Sequence, residues 1–328
     1  MSDTPPILEL ADVSKRFVRK ADLAARILNL FGASHADETV YAVDQVSIAI
    51  PKGQVVGLVG ESGCGKSTVG RVAAGLLRPN EGSVRLNGKD VTTDGAGLSV
   101  QMIFQDPFSS LNPRKRVADL IGEAPRVHRI VPRETLEDYV AQTMERCGLD
   151  PSFRRRFPHQ FSGGQRQRIG IARALAVKPE VLICDEAVSA LDVSIQAQIL
   201  NLFLELKEAY GLTYLFISHD LGVVRHVSDH VVVMYLGRVV EQAPTAALFD
   251  APNHPYTQAL LAGAPRISRR RQVFAPVKGE IPSPLAPPAG CHFHPRCPFA
   301  MPRCREERPA LKAVAGDRLS ACHLNDAA

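Results

Sequence analysis

The chain has 328 residues, carries a formal net charge of +5 at pH 7, and is 45% hydrophobic and 22% charged. This composition excludes global disorder, because the apolar side chains suffice to build a core. No apolar run reaches the ~18 residues of a membrane-spanning helix, and the start MSDTPPILEL lacks the basic and apolar regions of a secretory signal. We therefore expect a cytosolic protein, whose mild positive charge weakly favours an acidic partner surface.

Two N-terminal segments are predicted strands. Residues 7–17 and 40–50 combine β-branched and apolar side chains at strand-like spacing. The segment between them has apolar residues at helical spacing, which favours a short amphipathic helix packed on its own sheet. These apolar residues are Leu23, Ile27, Leu30 and Phe31.

Later apolar runs predict an α/β fold. They are short and non-alternating, they are separated by helical stretches, and they cover residues 55–59, 100–104, 181–184 and 214–217. Continuous apolar strands that alternate with helices are typical of a parallel sheet covered on both faces. Residues 106–178 are polar and helical in pattern, which predicts a helical subdomain inserted into the α/β core.

The composition changes near Pro244. More than half of the 24 prolines lie in residues 244–310, where long helices are not expected. We therefore predict one domain over residues 1–243 and a loop-rich extension over residues 244–328, which needs a staple to fold.

A glycine-rich loop has the pattern of a phosphate-binding site. Residues 60–67 read GESGCGKS and match G-x-x-x-x-G-K-[ST], between a predicted strand and a predicted helix over Thr68–Leu77. The glycines let backbone N–H groups turn toward phosphate oxygens, and the helix N-terminus adds partial positive charge. Lys66 would reach the β- and γ-phosphates, and the Ser67 hydroxyl would bind Mg²⁺. The predicted nucleotide-binding residues of this loop are Gly60, Ser62, Gly63, Cys64, Gly65, Lys66, Ser67 and Thr68.

The apolar run 181–184 ends in two carboxylates, Asp185 and Glu186. Asp185 is placed to hold Mg²⁺, directly or through water. Glu186 is placed to accept a proton from an attacking water, a general-base contribution of roughly 10²–10⁴ in rate.

A second helix start is built to receive an anion. Residues 161–165 read FSGGQ and open a predicted helix over residues 166–176. Ser162 can cap this helix, and Gly163 and Gly164 expose N–H groups at its start. The chain thus has two anion-binding helix starts but one complete Mg²⁺ site, so we expect the start at Ser162–Gln165 to serve a nucleotide held by another subunit.

Together, these motifs resemble the ATP-binding cassette family of transporter ATPases over nearly the whole chain. Residues 60–67 resemble its Walker A loop, Val181–Asp185 its Walker B strand, and residues 161–165 its signature motif, with Phe161 in place of the usual Leu. The resemblance implies a P-loop ATPase core with N-terminal antiparallel strands, an inserted helical subdomain and a Pro/Cys-rich C-terminal extension. It also implies that two cassettes close head to tail, with each ATP between one Walker A loop and the partner's signature helix.

The resemblance implies roles for further residues. Gln105 resembles the Q-loop glutamine that touches Mg²⁺ and the attacking water, and His219 resembles the switch histidine that contacts the γ-phosphate. Asp192 ends a segment, residues 189–192, that resembles the D-loop. Phe17 is at the family's adenine-stacking position, with Tyr41 as a second candidate. The predicted catalytic residues are Glu186, His219 and Gln105, and the predicted Mg²⁺ ligands are Ser67, Gln105 and Asp185.

Several segments are similar to the dipeptide and oligopeptide importer branch of this family. They are residues 105–114, 254–257 (HPYT), 279–284 (GEIPSP) and 290–298 (GCHFHPRCP). This likeness implies an energy-coupling subunit of a bacterial peptide importer, on the cytoplasmic face of the inner membrane. The implied partners are a sister ATPase in a heterodimer, two transmembrane permease subunits and a solute-binding protein outside the membrane, and no nucleic acid is expected.

Four of the seven cysteines lie near the C-terminus with the spacing C-x5-C-x6-C-x17-C: Cys291, Cys297, Cys304 and Cys322. In a cytosolic chain this pattern favours a metal site over a disulfide framework. Four thiolates can bind tetrahedral zinc or a [4Fe–4S] cluster, and reduced thiols held by packing are the remaining interpretation. The extension of related peptide-transporter ATPases is associated with a [4Fe–4S] cluster, so the resemblance favours such a cluster as a structural staple.

Other functions fit part of the pattern. Soluble cassette ATPases of translation usually carry two cassettes, and those of DNA repair usually carry a long coiled coil, whereas this sequence has one cassette and no such heptad run. A P-loop kinase would not need residues 162–165. Within the importer class, glutathione or nickel is an alternative cargo.

Overall fold

The computed structural model describes residues 5–19, 38–91, 97–106, 109–263 and 279–327. The strands are β1 (Pro6–Arg19), β2 (Glu38–Pro51), β3 (Val55–Val59), β4 (Glu81–Leu86), β5 (Lys89–Asp90), β6 (Val100–Ile103), β7 (Val181–Asp185), β8 (Thr213–Ile217), β9 (His230–Tyr235), β10 (Arg238–Pro244), β11 (Lys312–Ala315) and β12 (Arg318–Ser320). The α-helices are α1 (Lys66–Ala73), α2 (Val117–Val127), α3 (Leu136–Arg146), α4 (Gly163–Leu175), α5 (Val193–Tyr210), α6 (Leu221–Val227), α7 (Thr245–Asp250), α8 (Pro255–Ala262) and α9 (Arg303–Glu306). The helix predicted between β1 and β2 lies outside the described residues.

The strands form two sheets. A four-stranded antiparallel sheet has the order β2–β1–β4–β5, and an eight-stranded sheet has the order β11–β12–β10–β9–β3–β8–β7–β6. From β9 to β6 all neighbours in the larger sheet are parallel, whereas β10, β12 and β11 continue it antiparallel. The predicted α/β fold with a parallel sheet and N-terminal antiparallel strands is confirmed.

The central parallel strands are apolar throughout because both of their faces are covered. Every residue of β3, β7 and β8 is buried. Leu182 and Phe216 point into a core shared with α4 and α5, whereas Ile183 and Ile217 point into a core shared with α1 and the antiparallel sheet. Alternate side chains of one strand therefore supply two different cores.

The segment between β6 and β7 is helical, as the sequence predicts. It contains α2, α3 and α4, together with short 3₁₀ helices at residues 133–135, 151–155 and 158–160. Its described residues contain no strand. Among the described residues, no helix is both long and apolar enough to cross a membrane.

The C-terminal extension is attached to the main sheet. Strand β12 pairs with β10 through Glu241↔Ser320 and Gln242↔Leu319, and β11 pairs with β12. A third core joins β9, α8 and the extension around Tyr235, Tyr256 and Phe293. Sheet pairing and aromatic packing therefore hold the part of the chain that we expected to need a staple.

The buried histidine of this core predicts a loss of stability in acid. His254 is 1% exposed, and burial lowers its pKa to about 4, against a small opposing effect of a hydrogen bond to the Ala321 backbone. Because the folded-state pKa lies below the unfolded value of 6.5, the stabilisation is complete above pH 6.5 and is lost as the pH falls toward 4. The whole loss is about 3 kcal/mol of unfolding free energy.

The variant His254→Asn should remove this pH dependence while keeping an acceptor for the Tyr256 N–H, which donates to His254 Nδ1 at 3.0 Å. Urea unfolding between pH 7.5 and pH 4.5 measures it, with the exposed His128→Asn as the matched control. If the free energy of unfolding changes with pH in the same way for wild type and His254→Asn, His254 is not the cause of the loss of stability in acid.

Candidate nucleotide-binding site

The glycine-rich loop follows β3 at the carboxyl edge of the parallel strands. Its glycines are required by close backbone approach: a Cβ on Gly65 (φ 103°) would lie 2.1 Å from the Ala42 carbonyl oxygen. A Cβ on Gly60 would lie 2.2 Å from the Met234 carbonyl oxygen. Strands β2 and β9 thus press on the loop from outside and leave it no room for side chains at these positions.

Lys66 lies inside the curve of this loop. Its side chain is buried, and its Nζ donates hydrogen bonds to the carbonyl oxygens of Gly60 (2.8 Å) and Glu61 (3.0 Å). Helix α1 begins at Lys66 rather than at the expected Thr68, and it ends at Ala73 rather than at Leu77. The ammonium group of Lys66 and the N–H groups of the first turn of α1 therefore lie close together, and this arrangement favours the binding of an anion.

A hydroxyl and a carboxylate meet next to the loop. The Ser67 Oγ donates to Asp185 Oδ1 at 2.8 Å, which joins the start of α1 to the end of β7. Burial raises the pKa of Asp185, and the hydrogen bond from Ser67 opposes this increase. Paired oxygen donors of this kind fit Mg²⁺, and a divalent cation would favour the ionised carboxylate in this buried position.

Three residues predicted to be catalytic meet at the ends of adjacent strands. The Gln105 Nε2 donates to Glu186 Oε2 at 2.8 Å, and the His219 Nδ1 lies 3.3 Å from Glu186 Oε1. Gln105 follows β6, Glu186 follows β7 and His219 follows β8, so each carboxylate oxygen has a partner from a neighbouring strand.

The backbone of Glu186 is held in an uncommon conformation. Its φ is +49°, in the left-handed region that residues other than glycine rarely adopt. The Glu186 N–H donates to the Ile217 carbonyl oxygen at 3.0 Å, and the Ser189 Oγ donates to the Glu186 carbonyl oxygen at 2.9 Å. These bonds hold the backbone of Glu186 in this conformation, while its carboxylate contacts Gln105 and His219.

The predicted signature segment begins α4 as a capped helix. The Ser162 Oγ accepts from the Gln165 N–H at 3.3 Å, and the Gln165 Oε1 accepts from the Ser162 N–H at 3.0 Å. Residues 162–165 are at least partly exposed, and in the described part of the chain no hydrogen bond or ion pair joins them to the glycine-rich loop. Asp192, the residue before α5, is also exposed and caps nothing with its side chain.

Both aromatic candidates for adenine stacking are exposed, but they lie on opposite faces of the β1–β2 pair, because Tyr41 is paired with Arg16, the neighbour of Phe17. Phe17 and Tyr41 are 41% and 38% exposed, and they belong to the paired strands β1 and β2. Tyr41 precedes Ala42, whose carbonyl oxygen contacts Gly65. Tyr41 is therefore next to a residue that borders the loop, and the choice between the two rings stays a prediction.

The iron–sulfur prediction for the C-terminal cysteines is wrong. The described residues contain no group of three or more His, Cys, Asp or Glu side chains placed to hold a metal ion, which removes the support for zinc as well. The four cysteines are free, and they line one narrow cavity with Phe293, Phe299 and Leu324. Burial raises the pKa of Cys291 to about 11, so this thiol is neutral at pH 7 and packs as a small apolar side chain.

Sequence reasoning missed one residue at the start of the loop and its two partners from the extension. Glu61 is the second residue of the loop, and it bonds to Tyr256 and Arg296 from the extension. Tyr256 and Arg296 lie in two segments, HPYT and GCHFHPRCP, that point to the peptide-importer branch without assigning a role to any residue.

Comparisons with known proteins identify the family of this chain. Residues 43–189 match the ABC transporter family model, and residues 240–304 match the model of the oligopeptide/dipeptide transporter C-terminal region. The oligopeptide transport ATP-binding protein AppF of Bacillus subtilis is 49% identical over 97% of both chains. The dipeptide transport ATP-binding protein DppF of Haemophilus influenzae is 41% identical over 98% of both chains.

Two solved structures share the fold of the ATPase core. CbiO1 of Clostridium perfringens, part of an ABC transporter complex, matches with a TM-score of 0.61 and 26% identity over 75% of this chain and 92% of its own. A dimeric ATP-binding cassette bound to ADP and phosphate matches with a TM-score of 0.60 and 25% identity over 73% of this chain and 98% of its own. None of these relatives is named as an iron–sulfur protein.

The start of α4 predicts different effects at its two glycines. A Cβ on Gly164 would lie 2.5 Å from Ile195 Cγ2 on α5, whereas a Cβ on Gly163 would meet only Leu191 at 3.8 Å. Gly164→Ala should therefore lower the free energy of unfolding by about 1–3 kcal/mol. Gly163→Ala, the matched control, should leave it unchanged or raise it slightly. Urea unfolding measures both, and equal effects would contradict the close contact.

Proposed function

The chain belongs to the ABC transporter family, in the branch of oligopeptide and dipeptide transport ATP-binding proteins, and we propose that it couples ATP hydrolysis to the import of dipeptides or oligopeptides. The convergence of Gln105 and His219 on the Glu186 carboxylate, beside the Ser67–Asp185 pair, carries the proposal for hydrolysis. The match of residues 240–304 to the C-terminal region of peptide transporters supports the cargo.

The geometry of the site and the family resemblance support the following roles for its residues. The loop N–H groups and Lys66 would bind the phosphates of ATP. Ser67, Asp185 and, by its likeness to the Q-loop glutamine, Gln105 would hold Mg²⁺, which would neutralise phosphate charge. Glu186 accepts a proton from the attacking water. Gln105 and His219 contact the Glu186 carboxylate and orient it for this step.

The exposed signature segment supports a paired mechanism. Residues 162–165 and Asp192 are free to meet the nucleotide on the loop of a second ATPase subunit, which we propose to be a sister chain in a heterodimer. Binding energy then closes the pair, and hydrolysis reopens it. Two permease subunits, a solute-binding protein and a peripheral position on the cytoplasmic face of the membrane complete the proposed assembly.

We also propose that residues 1–243 act as the cassette and residues 244–328 as an extension specific to this branch. The end of β10 at Pro244 and the start of the second family match at residue 240 support this division.

Replacing the proposed general base should separate binding from turnover. Glu186→Gln keeps a side chain that can receive the hydrogen bond from Gln105 but cannot accept a proton. We expect Mg·ATP to bind with wild-type affinity and hydrolysis to fall by roughly 10²–10⁴. Glu180→Gln, before the opposite end of β7, is the matched control. Hydrolysis by Glu186→Gln within twofold of wild type would remove Glu186 from this role.

Uptake measurements test the cargo. Cells that lack other peptide importers are supplied with labelled dipeptides, longer peptides, glutathione and nickel, and they carry wild type or Glu186→Gln. We expect peptide uptake alone to be lost in the variant. Unchanged uptake of every peptide would contradict the peptide role, and loss of glutathione or nickel uptake would identify the alternative cargo.

A further inference from the structure

The C-terminal extension contacts the glycine-rich loop through a partly buried ion pair. The Arg296 side chain is 4% exposed, and its two terminal nitrogens donate to the two carboxylate oxygens of Glu61 at 2.7 and 3.1 Å. This bidentate geometry fixes the direction of both side chains, which a single point charge cannot do. The pair joins residues 235 positions apart in the chain.

A second contact from the extension holds the backbone of the same residue. The Glu61 N–H donates to the Tyr256 Oη at 2.9 Å, and the Tyr256 ring is fully buried. Glu61 is thus bound by the extension at its side chain and at its backbone N–H.

The groups that bind Glu61 are themselves held in place. The rings of Tyr235, Tyr256 and Phe293 form a cluster with centroid distances of 4.7–5.4 Å. The Arg296 guanidinium lies 5.8 Å from the Tyr235 ring centroid. Strand β9 and the extension therefore form a packed support beneath the first turn of the loop.

The other side of Glu61 faces the proposed phosphate-binding lysine. The Lys66 Nζ donates to the Glu61 carbonyl oxygen at 3.0 Å, so Glu61 lies between Lys66 and the extension. A change in the position of Glu61 would move the oxygen that helps to place the Lys66 ammonium group.

We propose that the extension is a positioning element for ATP binding, in which Arg296 and Tyr256 hold Glu61 and thereby keep the loop and Lys66 in the nucleotide-binding geometry. The inference rests on the proposed role of the loop in binding ATP. Arg296 is a positioning residue, since it acts on the phosphates only through Glu61 and Lys66. In this proposal, the HPYT and GCHFHPRCP segments supply the two residues, Tyr256 and Arg296, that hold Glu61.

Nucleotide titration of the purified full-length chain tests the proposal. The probe is Mg·ADP, which occupies the same loop without being hydrolysed, and calorimetry gives its Kd. We expect Arg296→Gln to raise the Kd by about tenfold, Arg296→Lys to raise it less, and Tyr256→Phe to raise it severalfold. The matched control is Arg303→Gln, in the same extension, whose exposed ion pairs with Glu307 and Asp326 do not contact the loop, and its Kd should stay within twofold of wild type.

A double-mutant cycle and steady-state kinetics separate positioning from loss of folded protein. Glu61→Gln should add little to the effect of Arg296→Gln, because either change removes the same pair. The KM for ATP should rise while kcat at saturating ATP changes by less than twofold, whereas partial unfolding would lower apparent kcat at unchanged KM.

The outcomes distinguish this inference from the proposed function. The inference is overturned if folded Arg296→Gln binds Mg·ADP with the wild-type Kd, or if the effects in the double-mutant cycle are additive. In either case the proposed function stands, provided that wild type binds Mg·ADP and Lys66→Ala does not. Absence of Mg·ADP binding by folded wild type overturns both.

Discussion

The parallel pairing of β3, β8, β7 and β6 is the constraint on which the nucleotide site depends. Neighbouring strands lie ~4.8 Å apart, so the residues that follow their carboxyl ends can touch without long connections. The glycine-rich loop, His219, Glu186 and Gln105 each follow one of these strands. A slip of β7 by one residue would exchange its side chains between the two cores and displace Glu186 from its partners. The alternation that fills both cores therefore also sets the geometry of the carboxylate.

The shape of the glycine-rich loop comes from its surroundings as much as from its own sequence. Carbonyl oxygens of Ala42 and Met234 lie where side chains at Gly65 and Gly60 would be. The antiparallel sheet and β9 thus enclose the loop, and the extension contacts its second residue, Glu61. Three separate parts of the chain therefore contact this one loop and restrict its conformation.

Sequence reasoning predicted the fold, which is confirmed, and the candidate site through features that are local in the chain. The apolar runs indicate the parallel strands, and the GESGCGKS loop with the carboxylates after β7 indicates the phosphate and Mg²⁺ sites. The contact between Ser67 and Asp185 follows from the parallel sheet. The partners of Glu61 do not, because an ion pair across 235 positions leaves no periodic or local signal. The cysteine spacing led to a wrong metal-site prediction for a related reason. The spacing shows that the thiols are near one another in sequence, but it does not show whether their side chains have the geometry of metal ligands.

The absence of metal-ligand geometry among the described cysteines changes what holds the extension. Strand pairing through β12 and the packing of Tyr235, Tyr256 and Phe293 supply cohesion without a cross-link. The partly buried Arg296–Glu61 pair adds little net stability, because desolvation of the two charges offsets most of their attraction. The pair contributes orientation instead, because a bidentate contact fits only one arrangement of the extension on the loop, whereas apolar contacts fit several. The core can therefore hold the extension while the ion pair aligns it, and the residue that it aligns is Glu61, whose carbonyl oxygen accepts a hydrogen bond from Lys66.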